Sequence, residues 1–165
     1  MIKVYFKSNI KPSKLSVFDF DGTLFKSPDK PNGYEGNWWA SKESLNEPTV
    51  PKNAPDQFWN LDIVSAARKE LSDPKNYVIM LTGRIDQFFE DRINELLKQR
   101  KLNFRLVGLN EFGMDTAEFK INKINQILKK YPSIKNIEMW EDEPEKVSIY
   151  KAEFKDKIKI NLLKG

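Results

Sequence analysis

Five short apolar runs, separated by stretches of helical periodicity, constrain the fold of this chain more than any other feature. The runs cover 15–20, 77–81, 104–109, 136–140 and 157–162. Most are continuous rather than alternating, the pattern of strands covered on both faces. Ile63, Val64, Ala67 and Leu71 mark one side of a helix over about 56–72. Phe89, Ile93, Leu96 and Leu97 mark a second, with Asp86 placed to cap its start. Ile124, Ile127 and Leu128 mark a third, opened by Asp115 or Thr116, and a weaker helical stretch covers 144–151. Strands alternating with helices predict βαβ units, an α/β fold and a mainly parallel sheet. Ligands of such sheets bind beyond the carboxyl ends of the strands, near a topological switch point.

One segment breaks the alternation. Residues 26–55 hold Pro28, Pro31, Pro48, Pro51 and Pro55 with Gly33 and Gly36, and read as an insert with little regular structure. Tyr34, Trp38 and Trp39 argue against disorder there. The 165 residues fit one domain, 1–165, carrying this insert.

The chain has no cysteine and no histidine. Disulfides, zinc–thiolate sites, cysteine nucleophiles and histidine triads are thereby excluded. Acid–base and metal chemistry falls to Asp, Glu, Lys, Tyr or backbone groups, and metals held by oxygen are usually magnesium, calcium or manganese. The net charge of +4 comes from 28 basic against 24 acidic residues, with lysine dense over 129–135 and 146–164. Such a surface suits a polyanion such as nucleic acid, and equally suits plain solubility. The opening MIKVYFKSNIKPSK lacks the apolar core of a signal peptide, and no membrane-spanning run occurs. A soluble, cytoplasmic protein is expected; the oligomeric state is not legible.

Four motifs fall at strand or helix ends. Val17 to Phe25 reads V-F-D-F-D-G-T-L-F, an apolar strand running into Asp19 and Asp21, whose carboxylates share a face if the strand continues unbroken. Gly22 permits a sharp turn. One carboxylate of such a pair can attack phosphorus while the other transfers protons. The bland alternative is an Asp-Gly turn with local hydrogen bonds. In the second motif, Leu81-Thr82-Gly83-Arg84, the Thr82 hydroxyl and the backbone N–H at Gly83 can bind phosphate oxygens. Arg84 either does the same or packs beside the next helix. The third, Thr116-Ala117-Glu118-Phe119-Lys120, puts a lysine early in a helix, against the macrodipole, where a nearby anion offsets the penalty. Lys123 competes for that role. The fourth, Trp140-Glu141-Asp142-Glu143, ends a strand in consecutive acids, suited to a hard cation. Glu143 and Glu145 are expected to face solvent.

Together these strings resemble, in order, the four motifs of the haloacid dehalogenase-like (HAD) superfamily. The resemblance implies a Rossmann-like three-layer sandwich with only a minimal cap, the insert at 26–55. It implies Asp19 as nucleophile, Asp21 as general acid/base, Thr82 as phosphate ligand and Lys120 as charge neutraliser. Mg²⁺ would be held by the Asp19 carboxylate, the Asp21 backbone carbonyl and Asp142, with Glu141 orienting. Dehalogenases lack the second aspartate, so Asp21 points to phosphoryl transfer.

More closely, the chain looks like the HAD domain of the Swiss Army Knife RNA repair-like group. The likeness runs over nearly all of 15–150, through DFDGTLF, the Trp/Pro-rich insert, Phe58-Trp59-Asn60, LTGR with Phe88/Phe89, Leu102-Asn103-Phe104, T-x-x-F-K and Trp140-Glu141-Asp142. It departs where relatives carry Arg and then His after the acidic pair, since Glu143 and Lys146 stand there. The group implies removal of a terminal phosphate from an RNA or DNA end. An uncapped site admits such an end, and Trp38 and Trp39 offer stacking faces unless they pack the insert onto the sheet; Trp59 is expected in the core. The alternatives are a nucleotidase or small-molecule phosphatase and, in another class, a non-catalytic phosphate-binding or adaptor module.

Overall fold

The computed structural model describes residues 10–164, so most of the stretch read for a signal peptide lies outside the described residues. Five strands form among the described residues: β1 (Lys14–Phe18), β2 (Asn76–Ile85), β3 (Leu106–Asn110), β4 (Asn136–Glu141) and β5 (Ile158–Leu162). They pair in the order β3-β2-β1-β4-β5, all parallel. The helices are α1 (Leu61–Ser72), α2 (Asp86–Gln99), α3 (Thr116–Lys130) and α4 (Pro144–Phe154). No helix among the described residues is long and apolar enough to cross a membrane.

The continuous apolar runs have a direct cause. Val17 pairs with Ile79 and Met139, and Phe18 with Met80 and Trp140, so like faces line up across the sheet. Leu15, Val17, Ile79, Leu81 and Met139 pack with α3 and α4. Phe18, Val78, Met80 and Trp140 pack with α1, α2 and the insert. With helices on both faces, both parities of each inner strand are buried.

After β1 the chain builds β2 and β3 on one side, then returns to place β4 and β5 on the other. The switch point therefore lies between the carboxyl ends of β1 and β4.

Several boundaries differ from the periodicity. β1 stops at Phe18, because residues 20–25 close a tight turn in which Phe25 and Thr23 donate N–H groups to the Phe20 carbonyl at 3.0 and 3.2 Å. β2 runs on to Ile85, with a register shift after Thr82. Asp86 is the first residue of α2 rather than its cap, and its carboxylate reaches only the Gln87 N–H, at 2.7 Å. Asp115 does cap α3, accepting the Glu118 N–H at 3.1 Å. α1 begins only at Leu61, since the chain first makes a 3-10 turn, Asp56–Phe58, that sinks Trp59 edge-on against Phe25.

The insert has no strand or α-helix, only the 3-10 turns Trp38–Ala40 and Lys42–Ser44. Side chains hold it instead. Leu45 and Val50 enter the core, and Arg92 on α2 donates to the carbonyls of Leu45 and Pro51 at 2.8 Å and of Lys52 at 2.9 Å.

Candidate active site

Asp19 follows β1 directly and stays tied to β4, its N–H donating to the Trp140 carbonyl at 3.1 Å. Glu141 ends β4 and Asp142 follows it. Lys120, in the second turn of α3, reaches between them: its ammonium donates to Asp19 Oδ1 at 2.8 Å and to Glu141 Oε1 at 3.1 Å. Lys120 is 1% exposed and Glu141 0%. Glu141 Oε2 accepts the N–H groups of Asp142 at 2.9 Å and Glu143 at 3.2 Å, so both of its oxygens are engaged within the protein. Lys123 lies on another part of α3 and is only half-buried.

The electrostatics follow from that burial. Desolvation pulls the Lys120 ammonium down, but Asp19 and Glu141 outweigh it and hold its pKa well above the ordinary value. Desolvation would raise Glu141, but Lys120 and the two backbone donors bring it below its ordinary value. Asp19 goes the other way: burial pushes it well above, with Glu141 adding to the shift and Lys120 opposing it. Asp142 is raised by burial and by Glu141.

Asp21 has different partners. The strand breaks at Phe18, and although both aspartates line the same cavity, each has its own cation. Asp21 is held by Arg84, whose Nε donates to its two oxygens at 3.0 and 2.8 Å and whose Nη2 donates to Oδ1 at 2.8 Å. Ser27, from the insert, donates to the same Oδ1. Arg84 Nη1 donates to Ser44 Oγ at 2.6 Å and to the Trp39 carbonyl at 3.3 Å. The guanidinium also stacks between Phe89 at 4.6 Å and Trp39 at 5.4 Å. Both alternatives raised for Arg84 are thus modified: it borders the site, but its donors are committed to Asp21 and the insert.

Above these residues opens a cavity of about 440 Å³, lined among others by Asp19, Asp21, Thr82, Gly83, Trp39 and Asp142. The Thr82 hydroxyl oxygen accepts the Arg84 N–H at 3.2 Å, leaving its proton free to donate. Two glycines permit the close approach. Gly22 sits at φ +75° with the Asp142 carboxylate where a Cβ would be, and a Cβ on Gly83 would collide with the Thr116 hydroxyl. Trp38 is 2% exposed, donates its indole N–H to the Pro28 carbonyl at 2.9 Å and packs edge-on to Tyr34. It cannot stack on a ligand, and that expectation is corrected: it pins the insert. Trp39 is 45% exposed and borders the cavity. Glu145 is exposed, whereas Glu143 lines the cavity and pairs with Lys146 rather than simply facing solvent.

Sequence reasoning missed Thr23, whose hydroxyl lies 3.2 Å from Asp19 Oδ2 and 3.3 Å from Asp142 Oδ1. It also missed Ser27 and Ser44. Thr23 follows Gly22 in the first motif and was open to notice; the two serines carry no local signal.

Asp19, Glu141 and Asp142 each bring a carboxylate oxygen within 4.8 Å of the others. Three carboxylates face one ammonium, and Glu141 is already saturated with donors. A hard divalent cation fits the remaining charge, since Asp19 Oδ2 and the Asp142 carboxylate share only the single Thr23 hydroxyl as donor.

Comparisons with known proteins agree with this architecture. A Saccharomyces cerevisiae protein, itself uncharacterised, is 25% identical over 173 residues, covering 86% of this chain and 37% of that protein. Two solved structures share the fold: the Pnkp1/Rnl/Hen1 RNA repair complex, with TM-score 0.64 and 15% identity, and a Pnkp1/Rnl/Hen1 complex, with TM-score 0.61 and 16% identity. They cover 93% and 92% of this chain but 42% and 46% of the matched chains, so the chain spans less than half of each of these relatives. A family model described as HAD domain family 1 in Swiss Army Knife RNA repair proteins matches residues 20–162. With that match over most of its length, and with the parallel sheet and strand-end carboxylates the fold requires, the chain belongs to this HAD domain family.

Proposed function

We propose that the chain is a Mg²⁺-dependent phosphohydrolase that removes a terminal phosphate from a nucleic-acid end through an aspartyl-phosphate on Asp19. The observation that carries this reading is the buried Asp19–Lys120–Glu141 arrangement, opening with Asp142 onto a polar cavity at the switch point. The RNA repair context of the family supports the class of substrate.

In the first step a carboxylate oxygen of Asp19 forms a bond to phosphorus as the ester P–O bond breaks. Lys120 neutralises the developing charge, and the Thr82 hydroxyl donates to a phosphoryl oxygen. The leaving oxygen takes a proton from Asp21. In the second step Asp21, now a carboxylate, takes a proton from water as that water attacks phosphorus, releasing phosphate and restoring Asp19. Mg²⁺, held by Asp19, Asp142 and the Asp21 backbone carbonyl with Glu141 orienting Asp142, supplies further neutralisation of the phosphoryl group when bound.

Phosphate release from 3′- and 5′-phosphorylated RNA and DNA oligonucleotides with Mg²⁺ tests the reading, beside p-nitrophenyl phosphate and nucleoside monophosphates. Release from one oligonucleotide end well above the small esters, abolished in Asp19→Asn, is expected. Turnover of mononucleotides alone would transfer the function to nucleotide metabolism, and no turnover of any ester would leave a binding module.

A further inference from the structure

Three large aromatic side chains are exposed among the described residues: Trp39 at 45%, Phe88 at 40% and Phe112 at 81%. Trp39 lies in the insert that follows β1, Phe88 in the first turn after β2, and Phe112 in the loop after β3. β1, β2 and β3 are neighbours in the sheet, so all three aromatics stand at its carboxyl end, the end that carries the cavity.

Their surroundings separate them. Trp39 lines the cavity, and one side of its ring is covered by the Arg84 guanidinium at 5.4 Å. Its backbone is pinned at both ends, the N–H by Asn37 Oδ1 at 3.2 Å and the carbonyl by Arg84. Its ring is thus oriented before any ligand arrives. Three residues later Lys42 brings its ammonium to 5.7 Å from the Phe88 ring. An aromatic face at the cavity, a lysine three residues on and a second aromatic face beside that lysine therefore stand together at the carboxyl end of the sheet. Phe112 differs in place: it lies in the loop after β3, the edge strand, and does not line the cavity.

We propose that Trp39, Lys42 and Phe88 form a short single-strand track leading out of the cavity. The base of the terminal nucleoside stacks on Trp39, the next phosphodiester meets Lys42, and the second base stacks on Phe88. The inference rests on the phosphohydrolase reading above and deepens it, since it makes the preferred substrate a single-stranded end of at least two nucleotides. Stacking suits such a track because every base offers a flat face, and a lysine tracks the backbone without reading sequence. Phe112, in the loop after the edge strand β3, stands outside the track.

The test is kcat/KM for phosphorylated mono-, di- and tetranucleotides with Mg²⁺, each measured relative to p-nitrophenyl phosphate. The dinucleotide is expected to exceed the mononucleotide by about 5- to 100-fold, with little more gained at four nucleotides. Phe88→Ala should erase that increment, as should Phe88→Leu, which keeps the apolar packing but has no ring. Phe112→Ala should leave it intact. In oligonucleotide binding to the Asp19→Asn protein, Lys42→Ala should reduce the salt dependence by the contribution of about one single-strand phosphate contact. Absence of a chain-length increment, or its survival in both Phe88 variants, overturns the track while leaving the phosphohydrolase standing. Absence of turnover on every ester overturns both.

Discussion

Arg84 grips Asp21 through two nitrogens while its third reaches Ser44 in the insert, so one guanidinium couples the second aspartate of the first motif to the loop roofing the site. The paired arginine keeps this carboxylate oriented in the cavity. A fixed orientation serves both proton transfers assigned to Asp21 in the proposed cycle. Replacing Arg84 by Met frees Asp21. We expect kcat/KM for alkyl phosphates to fall by about 10- to 100-fold, and less for p-nitrophenyl phosphate, whose leaving group needs no proton. A rise in KM alone, equal for both esters, would instead make Arg84 a phosphate ligand.

Lys120 has the opposite kind of importance. Its removal leaves Asp19 and Glu141 buried without their shared cation. Lys120→Met is therefore expected to lose activity and to destabilise the fold by about 3–5 kcal/mol in chemical denaturation, the range for breaking a buried pair by removing one partner. The added mutation Glu141→Gln should recover part of that stability, because it removes one stranded charge.

Divalent cations should stabilise the protein. At 100 times its dissociation constant, Mg²⁺ is expected to add about 2.7 kcal/mol, read as a rise in melting temperature that chelation reverses. Asp142→Asn should remove most of the shift, since Glu141 has no free oxygen to replace it. An unchanged shift in that variant would remove Asp142 from the ligand set.

Away from the site, Lys14 on β1 bridges Glu70 of α1 and Glu138 of β4 at 2.5 and 2.8 Å. Burial would raise Glu138, but hydrogen bonds from Lys14 and Asn161 bring it below its ordinary 4.5. Its contribution to stability is complete above that value and is lost as pH falls through the lower folded value. Burial opposes the charge on Lys14, yet Glu138 and Glu70 raise it above 10.5, so its contribution is complete below 10.5 and is lost as pH rises through the higher folded value. Denaturation of Glu138→Gln against pH should show a flattened acid limb, and an unaltered limb would assign acid sensitivity to other carboxylates.

Much of this architecture is legible in the residues themselves. Continuous apolar runs have the pattern of strands covered on both faces, and the helical spacing between them points to a parallel sheet. The same reading put Asp19, Thr82 and the Glu141-Asp142 pair at or near strand ends, because each ends an apolar run or follows it within a residue or two. The choice of Lys120 over Lys123 comes from the resemblance, and the structure puts Lys120 with Ala117 and Ile124 on the buried face of α3.

What local sequence could not decide was partnership over long separations. Nothing near Asp21 announces that its partner is Arg84, 63 residues on. That outcome depends on the turn at Phe20–Phe25 and on β2 lying beside β1. Trp38 and Trp39 are adjacent and chemically identical, yet one is buried under Pro28 and Tyr34 and the other faces the cavity. A loop without repeating hydrogen bonds has no period to reveal its faces, so only its docking on Arg84 and Arg92 sorts them. The chain alone determined the sheet and the order of its carboxylates; tertiary packing decided which charge meets which, because those contacts join segments brought together only once both layers of helices have closed on the sheet.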